Sequence, residues 1–288
     1  LRTSRGLGDV YKRQKLYQLR KPTTLTLIKR PSAKIKSPYV SDGILGNQTY
    51  TIHTPALNMG GQCIEGTKLI CDKSNETSKT DYIVNAIKLE EENYKNIYIG
   101  ANPFIAEKIA KTAIQKNCIK YFKNFTFTKK PNSIKYRGDI YGELKGKSHI
   151  IEIKNVICAT YDPKINLINP SEKFYDNTAP FSRSGIYPFG NKTQKWNDKK
   201  VVSSRSIRQI DEMIKIIKND NDIIFTILFI VNRSDCNIFK PNWVSDPVYC
   251  NYLLKAKKAG VNLQAVKMHW DDKSCYYHSQ LKIELDKW

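Results

Sequence analysis

Residues 136–156 read YRGDIYGELKGKSHIIEIKNV, a stretch that decides how the second half of the chain folds. Lys145-Gly146 is a suitable two-residue turn between two strand-forming segments. With that turn, or with a four-residue loop about the same centre, Asp139 lies directly opposite Glu152, whereas a three-residue loop destroys the pairing. Side chains opposite each other on antiparallel strands have Cβ atoms about 5 Å apart. The stretch therefore predicts a hairpin that brings two carboxylates together.

Glu152 and Lys154 are two residues apart and share one face of the predicted strand, while Ile151 and Ile153 point into the core. Facing carboxylates repel unless a cation lies between them, and Mg²⁺ or Mn²⁺ is the natural occupant of an all-oxygen site. Metal-assisted phosphodiester hydrolysis uses such carboxylates together with a fixed positive charge. Asp139 and Glu152 are therefore candidate metal ligands, and with Lys154 they are candidate catalytic residues. The alternative is a solvent-exposed hairpin face on which Lys154 pairs with a carboxylate.

Two further groups of residues are functional candidates. Glu107 lies on a predicted helix at 103–115 and would reach a metal through water, while an ordinary surface glutamate is the alternative. Six basic residues are candidate nucleic-acid contacts, because positive charge near aromatic side chains or along one helix face suits phosphates and bases. A solvated surface is the alternative for each of them. They are Arg30, Lys34, Lys36, Arg137, Arg205 and Arg208.

The chain of 288 residues has 48 Lys and Arg against 27 Asp and Glu, a formal net charge of +21. Residues 1–14 resemble a translated sequencing adapter or cloning scar, and we exclude them from the fold. Without them 44 basic and 26 acidic residues remain, a net charge of +18. This excess favours DNA as the partner, with RNA left open, over an acidic membrane surface. A proteome rich in lysine is the alternative explanation.

Composition argues against several classes of protein. No apolar run approaches the roughly 20 residues that a membrane helix needs, so we expect no membrane partner. Seven cysteines without any Cys-x-x-Cys spacing argue against a disulfide scaffold or a cysteine zinc site. An intracellular protein, in the cytoplasm or the nucleus, is the simplest interpretation. The sequence leaves the oligomeric state open.

Secondary-structure signals divide the chain into two parts. Residues 15–90 contain short strands separated by glycine-containing turns, which is typical of a small barrel. Residues 91–288 alternate strands and helices, with a long polar insertion at 162–202. In the first part the predicted strands are Thr24–Ile28, Lys34–Val40, Thr49–His53 and Lys68–Cys71, with turns at 41–43 and 45–47.

The second part is predicted to be an α/β domain. Strand Ile223–Val231, a helix at 247–258 with Asp246 as its N-cap, and strand Val261–Met268 predict a βαβ unit with a parallel pair of strands. Further predicted elements are the strands Ile97–Gly100, Phe122–Thr128, Lys135–Leu144 and His149–Ile157, the helix Pro103–Gln115, and a helix over the isoleucine stripe from Ile207 to Ile217.

Seven short motifs follow the pattern of one known family. They are LIKRP at 27–31, YTIHTP at 50–55, ANP at 101–103, RGD at 137–139, EIKNV at 152–156, SRSIRQI at 204–210 and DP at 246–247. On these motifs the chain resembles the sugar fermentation stimulation protein family, from about Ile28 to about Met268. The resemblance implies an α/β protein overall, with a small N-terminal OB-like β-barrel followed by an α/β restriction-endonuclease-like domain with a mixed sheet. Thr128 departs from the pattern, which has an acidic residue there.

The resemblance also implies a function. It places Asp139, Glu152 and Lys154 in a nuclease site of the PD-(D/E)xK type. It implies a DNA-binding protein with a nuclease-like domain and, with Mg²⁺ or Mn²⁺ as cofactor, a phosphodiesterase that acts as an endonuclease on DNA. The alternative is a non-catalytic nucleic-acid-binding or transcription-regulatory protein on a degenerate nuclease fold. Enzymatic activity is therefore left open by the sequence.

Overall fold

The structure is a computed structural model that describes residues 13–55, 64–89, 97–132, 134–160, 183–220 and 222–287. The first 12 residues of the suspected scar and residues 162–182 of the predicted insertion lie outside the described residues. None of the helices in these ranges is long and apolar enough to cross a membrane. The division of the chain at residues 90 and 91 stays a prediction.

The first sheet forms a closed barrel. Its strands are β2 Thr23–Lys29, β3 Val40–Leu45, β4 Gln48–His53, β5 Lys68–Lys73 and β6 Tyr82–Leu89, with β7 Ile97–Gly100 added outside β6. They pair in the order β4-β3-β2-β5-β6, and β6 closes the ring by pairing in parallel with β4. Leu25, Ile52, Leu69 and Val84 belong to its buried core. The predicted small N-terminal barrel is confirmed.

The predicted strand Lys34–Val40 and the predicted turn at 41–43 are wrong, because β3 begins where that strand was expected to end. The Asp42 carboxylate accepts hydrogen bonds from the Ser32 hydroxyl and from the Ala33 N–H, which folds the preceding segment into a loop. Gly43 lies inside the strand, since a Cβ there would strike the Ile52 side chain. Glycine marks a close approach within the barrel here, and not a turn.

The second sheet is larger and mixed, and helices accompany it. The elements of this part are β1 Lys15–Gln18, α1 Pro103–Gln115, β8 Thr126–Phe127, β9 Ile140–Leu144, β10 Lys147–Val156, β11 Cys158–Ala159, β12 Arg183–Tyr187, β13 Gln194–Trp196, β14 Lys199–Val201, α2 Ser204–Asn219, β15 Ile223–Val231, β16 Cys236–Pro241, α3 Pro247–Lys258, β17 Asn262–Trp270 and β18 Ser274–Ile283.

The strands of the large sheet pair in the order β11-β12-β16-β18-β17-β15-β10-β9-β8, and β1 pairs with β18. The central strands β10, β15 and β17 are parallel, and β9 pairs antiparallel with β10. The predicted mixed sheet is therefore confirmed.

The predicted parallel pair of the C-terminal unit is confirmed, because β15 and β17 run side by side in the same direction. Asp246 caps α3 as predicted, and its carboxylate accepts a hydrogen bond from the Tyr249 N–H at 2.9 Å. The sequence did not predict β16 and β18. β16 is placed by pairing with the distant strand β12, whereas β18 pairs with β17, its neighbour in the chain.

Two predicted strands are much shorter in the structure. Within Phe122–Thr128 only Thr126 and Phe127 pair, because Lys120–Phe122 form a 3₁₀ turn and Asn124 turns the chain with φ +67°. Within Lys135–Leu144 the strand starts only at Ile140. Phe122 and Tyr136 are buried in these two segments. Their side chains give the sequence a strand-like apolar pattern although the backbone there does not pair with another strand.

Helices cover both faces of the large sheet. Ile105 and Ile109 of α1 pack in one cluster with Ile151 and Ile153, so the predicted core face of β10 is confirmed. On the other face, α2 lies over Glu152 and the residues around it. Glu152 is only 3% exposed and Lys154 6% exposed. A solvent-exposed hairpin face is therefore wrong for this part of β10.

A tight contact joins the barrel sheet to the large sheet. Gly100, at the end of β7, lies against the ring of Trp270, and a Cβ at Gly100 would come within 2.5 Å of that ring. Its N–H donates to the Asn232 carbonyl at 2.9 Å, and the Trp270 Nε1 donates to the Asn232 side chain at 3.0 Å. Glycine is required at this position because the indole fills the space of any side chain.

We expect Gly100→Ala to destabilise the protein by about 1–3 kcal/mol, the usual cost of overpacking a closed core. Trp270→Phe removes the ring atoms that the new methyl group would meet, so the double variant should lose less stability than the two single losses combined. The free energies of unfolding from urea titrations of the four proteins measure this coupling. Strictly additive losses would contradict the steric explanation.

Candidate functional site

A buried ion pair on β10 forms the centre of the candidate site. The Lys154 ammonium lies 2.9 Å from Oε1 of Glu152. Gln209 of α2 completes a triangle, because its Nε2 donates to Glu152 Oε1 at 2.6 Å and its Oε1 accepts from Lys154 at 2.7 Å. Both charges are thus fixed by one amide group from the covering helix.

The second oxygen of Glu152 is held by a tyrosine. The Tyr136 hydroxyl donates to Glu152 Oε2 at 2.9 Å, and its ring packs edge-on against Phe225 with centroids 5.1 Å apart. Burial and the Glu152 charge raise the pKa of Tyr136, so the hydroxyl keeps its proton at any physiological pH. Glu152 therefore accepts hydrogen bonds from Tyr136, Lys154 and Gln209.

The hairpin turn and its register match the sequence prediction. Lys145 and Gly146 both have positive φ, +54° and +73°, as the primed two-residue turns require. Leu144 faces Lys147, and the ladder continues to the pair of Ile140 and Ile151.

The direct pairing of Asp139 with Glu152 is wrong, because the ladder ends one position earlier. The Asp139 N–H donates to the Ile151 carbonyl at 3.0 Å, and its Oδ2 accepts from the Ile153 N–H at 2.7 Å. Asp139 is thus exposed on one side and lies with its carboxylate against the edge of β10. The two carboxylates are neighbours, although they are not a cross-strand pair.

A bend before β9 puts Asp139 in this place. The Tyr141 hydroxyl accepts from the Gly138 N–H at 2.6 Å and donates to the Tyr136 carbonyl at 3.2 Å. A Cβ on Gly138 would come within 2.5 Å of the Ile150 side chain, so glycine is required at the bend. The same bend points the Tyr136 hydroxyl towards Glu152.

Burial and the neighbouring charges together raise the pKa of Asp139 to about 6. Burial of the carboxylate contributes most, followed by the repulsion of Glu152, and Glu107 adds to the same effect. The Ile153 N–H and the Lys154 charge act in the opposite direction. Glu107 is exposed on the surface of α1, and its negative charge acts on the Asp139 carboxylate by electrostatic repulsion. The structure therefore brings all four candidate catalytic residues into one electrostatic neighbourhood.

The donor set fits a hard divalent cation in part. Mg²⁺ uses carboxylate oxygens, often only one or two of them, and keeps several waters. Asp139 next to Glu152 offers such oxygens, and the raised pKa of Asp139 shows that its negative charge is poorly compensated. However, the described part of the chain contains no group of three His, Cys, Asp or Glu side chains placed to hold a metal ion. A metal would thus depend on water and substrate oxygens for most of its ligands.

The basic candidates separate into two places. Arg137 precedes the bend at Gly138, and Arg205 and Arg208 are exposed on α2, the helix that supplies Gln209. The other three, Arg30, Lys34 and Lys36, lie between β2 and β3 of the barrel, on elements that contribute nothing to this site. Only the first three therefore lie on segments that also contribute residues to the site.

Tyr136 and Gln209 contact Glu152, and sequence reasoning did not single them out. Gln209 follows Arg205 by four residues, so helical spacing could have placed it on the same face as that arginine. Tyr136 had no comparable signal, because its direction depends on the bend held by Tyr141.

Comparisons with known proteins agree with this architecture. The solved structure of Pyrococcus furiosus SfsA in complex with Ca²⁺ superposes with a TM-score of 0.70 at 18% identity, covering 94% of this chain and 99% of that chain. This similarity shows the fold.

Sequence relatives agree as well. A sugar fermentation stimulation protein homolog of Pelagibacter ubique is 25% identical over 90% of this chain and 97% of the relative. The Pyrobaculum arsenaticum homolog is 24% identical over 72% of each chain. The Carboxydothermus hydrogenoformans homolog is 28% identical over 81 residues, and that match spans about a third of its length (34%).

The family model described as the sugar fermentation stimulation protein RE domain matches residues 200–274, from β14 to the first residue of β18. This region contains Gln209 and two of the parallel strands that support β10. Together with the relatives and the shared fold, this match supports the assignment of the chain to the sugar fermentation stimulation protein family.

Proposed function

We propose that the protein binds DNA and hydrolyses its phosphodiester backbone with a divalent metal ion, Mg²⁺ or Mn²⁺, near Asp139 and Glu152. The observation that carries this proposal is the convergence of Asp139, Glu152 and a buried Lys154 beside a helix that displays two arginines. The Ca²⁺ complex of the Pyrococcus relative supports a divalent ion. A bound ion would supply charge neutralisation at the scissile phosphate and a water of lowered pKa.

The residues of this chain have separate roles in the proposed reaction. Asp139 holds negative charge at the edge of β10, where a metal and a water can approach from the exposed side. Lys154 supplies positive charge that Glu152 and Gln209 fix in direction, so no reorganisation is needed as charge develops on the phosphate. Arg137, Arg205 and Arg208 orient the backbone of the nucleic acid through its phosphates.

DNA binding rests on charge. The net charge of +21 belongs to the whole chain, and +18 remains without residues 1–14. Double-stranded DNA carries one negative charge per about 1.7 Å, so a basic surface beside the site gains affinity through the release of counterions. RNA offers the same phosphates, so the same electrostatic argument applies to RNA.

The second candidate function is binding without catalysis. It is favoured by the hydrogen bonds that already occupy both oxygens of Glu152, which accept from Tyr136, Lys154 and Gln209. Thr128, where the family pattern has an acidic residue, favours it too. This candidate retains DNA affinity but shows no cleavage with any metal.

We expect Asp139→Asn to lower the rate of Mg²⁺-dependent DNA cleavage at least about 100-fold, because it removes the exposed carboxylate at low steric cost. Glu143→Gln is the matched control, since Glu143 is an exposed carboxylate on the same hairpin. Cleavage of a plasmid with Mg²⁺, Mn²⁺ or EDTA measures the rates. Equal activity in both variants would point to a contaminating nuclease and contradict a catalytic role of Asp139. If the unaltered protein cleaves no DNA with any metal, binding without catalysis is the remaining function.

The Asp139 carboxyl should titrate near pH 6 in the metal-free protein. Its pKa is raised, so the carboxyl is protonated below pH 6 and ionised above it. Mg²⁺ should lower this pKa because a nearby cation favours the ionised form, and Glu107→Gln should lower it because a repelling charge is lost. Side-chain ¹³C spectra recorded against pH measure both shifts. A titration that Mg²⁺ leaves unchanged would contradict metal binding at Asp139.

Replacing Arg205 and Arg208 together by glutamine should weaken DNA binding and reduce the slope of log K against log salt by about two, since each phosphate contact contributes roughly 0.9. The control removes the same charge from the end of α3 through Lys257→Gln and Lys258→Gln. Fluorescence anisotropy with a labelled duplex over a range of salt concentrations measures the slopes. The same reduction in both proteins would show a general charge effect and no contact by α2.

A further inference from the structure

A cavity lies at the amino ends of the parallel strands. It has a volume of about 770 Å³ and is bounded by the 3₁₀ turn at Lys120–Phe122, the hairpin turn at Lys145-Gly146, and the starts of β10 and β15. Cavities of about 300–1,000 Å³ are the size that small ligands occupy. The open volume is thus sufficient for a phosphorylated small molecule or a segment of nucleic-acid backbone.

Lysines surround this cavity, and its lining contains no carboxylate among the described residues. Lys120 and Lys123 come from the 3₁₀ turn, where residues three apart lie on the same side. Lys145 and Lys147 come from the hairpin turn. Lys145 has φ +54°, a conformation that asparagine or glycine adopts at lower cost, so the geometry of the turn does not explain a lysine there. The cavity therefore concentrates positive charge.

A buried histidine forms part of the wall. His149 is only 2% exposed, lines the cavity and packs against the rings of Tyr121 and Phe125. Its Nδ1 is buried and has no hydrogen-bond partner in the described protein. Burial lowers the pKa of His149, and a backbone hydrogen bond with Leu144 acts in the opposite direction. The ring thus places a polar group at the cavity wall.

The cavity is separate from the candidate nuclease site. His149 and Glu152 are three residues apart on β10, about 10 Å along the strand, and they point to opposite faces because side chains alternate. His149 lies on the α1 face of the sheet with Ile151, whereas Glu152 lies beneath α2. Neither Asp139 nor Lys154 lines the cavity.

We propose that this cavity is a second binding site and that it takes a phosphate group. Lysine ammonium groups compensate the charge of the phosphate, and the amides of Asn124 and Gln264 at the wall donate hydrogen bonds to its oxygens. The ring of His149 lines the cavity beside these groups and can report on its occupancy. The phosphate belongs either to the backbone of a bound nucleic acid or to a free phosphorylated small molecule. The inference does not rest on the proposed cleavage reaction.

The test follows the ring resonances of the four histidines by NMR during titration of the full chain. Three probes are added separately in EDTA: inorganic pyrophosphate, a nucleoside 5′-monophosphate and a short DNA duplex. We expect a saturable shift of His149 with at least one probe, while the resonances of His53, His269 and His278 serve as internal references. A shift with the small probes identifies a free ligand, and a shift with the duplex alone identifies the nucleic-acid backbone.

A triple variant tests the lysines without touching the buried ring. Removing three of them should raise the dissociation constant of the responding probe at least about tenfold, since each lost ammonium group removes an attraction to the phosphate charge. The variant carries Lys120→Gln, Lys123→Gln and Lys145→Gln, and its control carries Lys21→Gln, Lys79→Gln and Lys257→Gln. A His149 resonance unmoved by all three probes, or equal weakening in variant and control, would overturn the proposal. Cleavage assays on Asp139→Asn report on the other site and are independent of this outcome.

Discussion

The buried pair of Lys154 and Glu152 is the interaction on which the arrangement of the site depends. Removing two ions from water costs several kcal/mol for each, and their mutual attraction offsets this only if hydrogen bonds satisfy the remaining donors and acceptors. Gln209 and Tyr136 meet that requirement from two different parts of the chain. The position of α2 and the bend before β9 are therefore both tied to one ion pair on β10.

Asp139 differs from the buried charges of the protein. Asp235 lies between Arg183 and Arg233, with its Oδ2 2.7 Å from the first and 2.6 Å from the second, so cations of the protein compensate its charge. Asp139 instead faces the charges of Glu152 and Glu107, and its pKa rises to about 6. An acidic group that the protein leaves poorly compensated, with one side open, is where an added cation gains most.

Several features of this site could be predicted from particular residues. Lys145-Gly146 fixed the register of the hairpin, because a two-residue turn leaves only one pairing between the flanking strands. Alternation along β10 then assigned Ile151 and Ile153 to the core and separated them from Glu152. The exact pairing of Asp139 failed, since the Tyr141 hydroxyl holds the chain in a bend that no local pattern encodes.

The sequence by itself determined the register of the hairpin, the parallel pair of β15 and β17, the capped helix α3 and the grouping of a carboxylate with a lysine on one strand. These depend on local turns, caps and side-chain alternation, which act over a few residues. Only the tertiary structure decided that α2 covers Glu152 and that Tyr136 and Gln209 complete its hydrogen bonds. It also decided that lysines from two turns line one cavity together with His149. Those contacts join residues far apart in the chain, and the packing of helices and strands sets their geometry. A buried charge needs hydrogen-bond partners, and only the folded chain brings those partners to it.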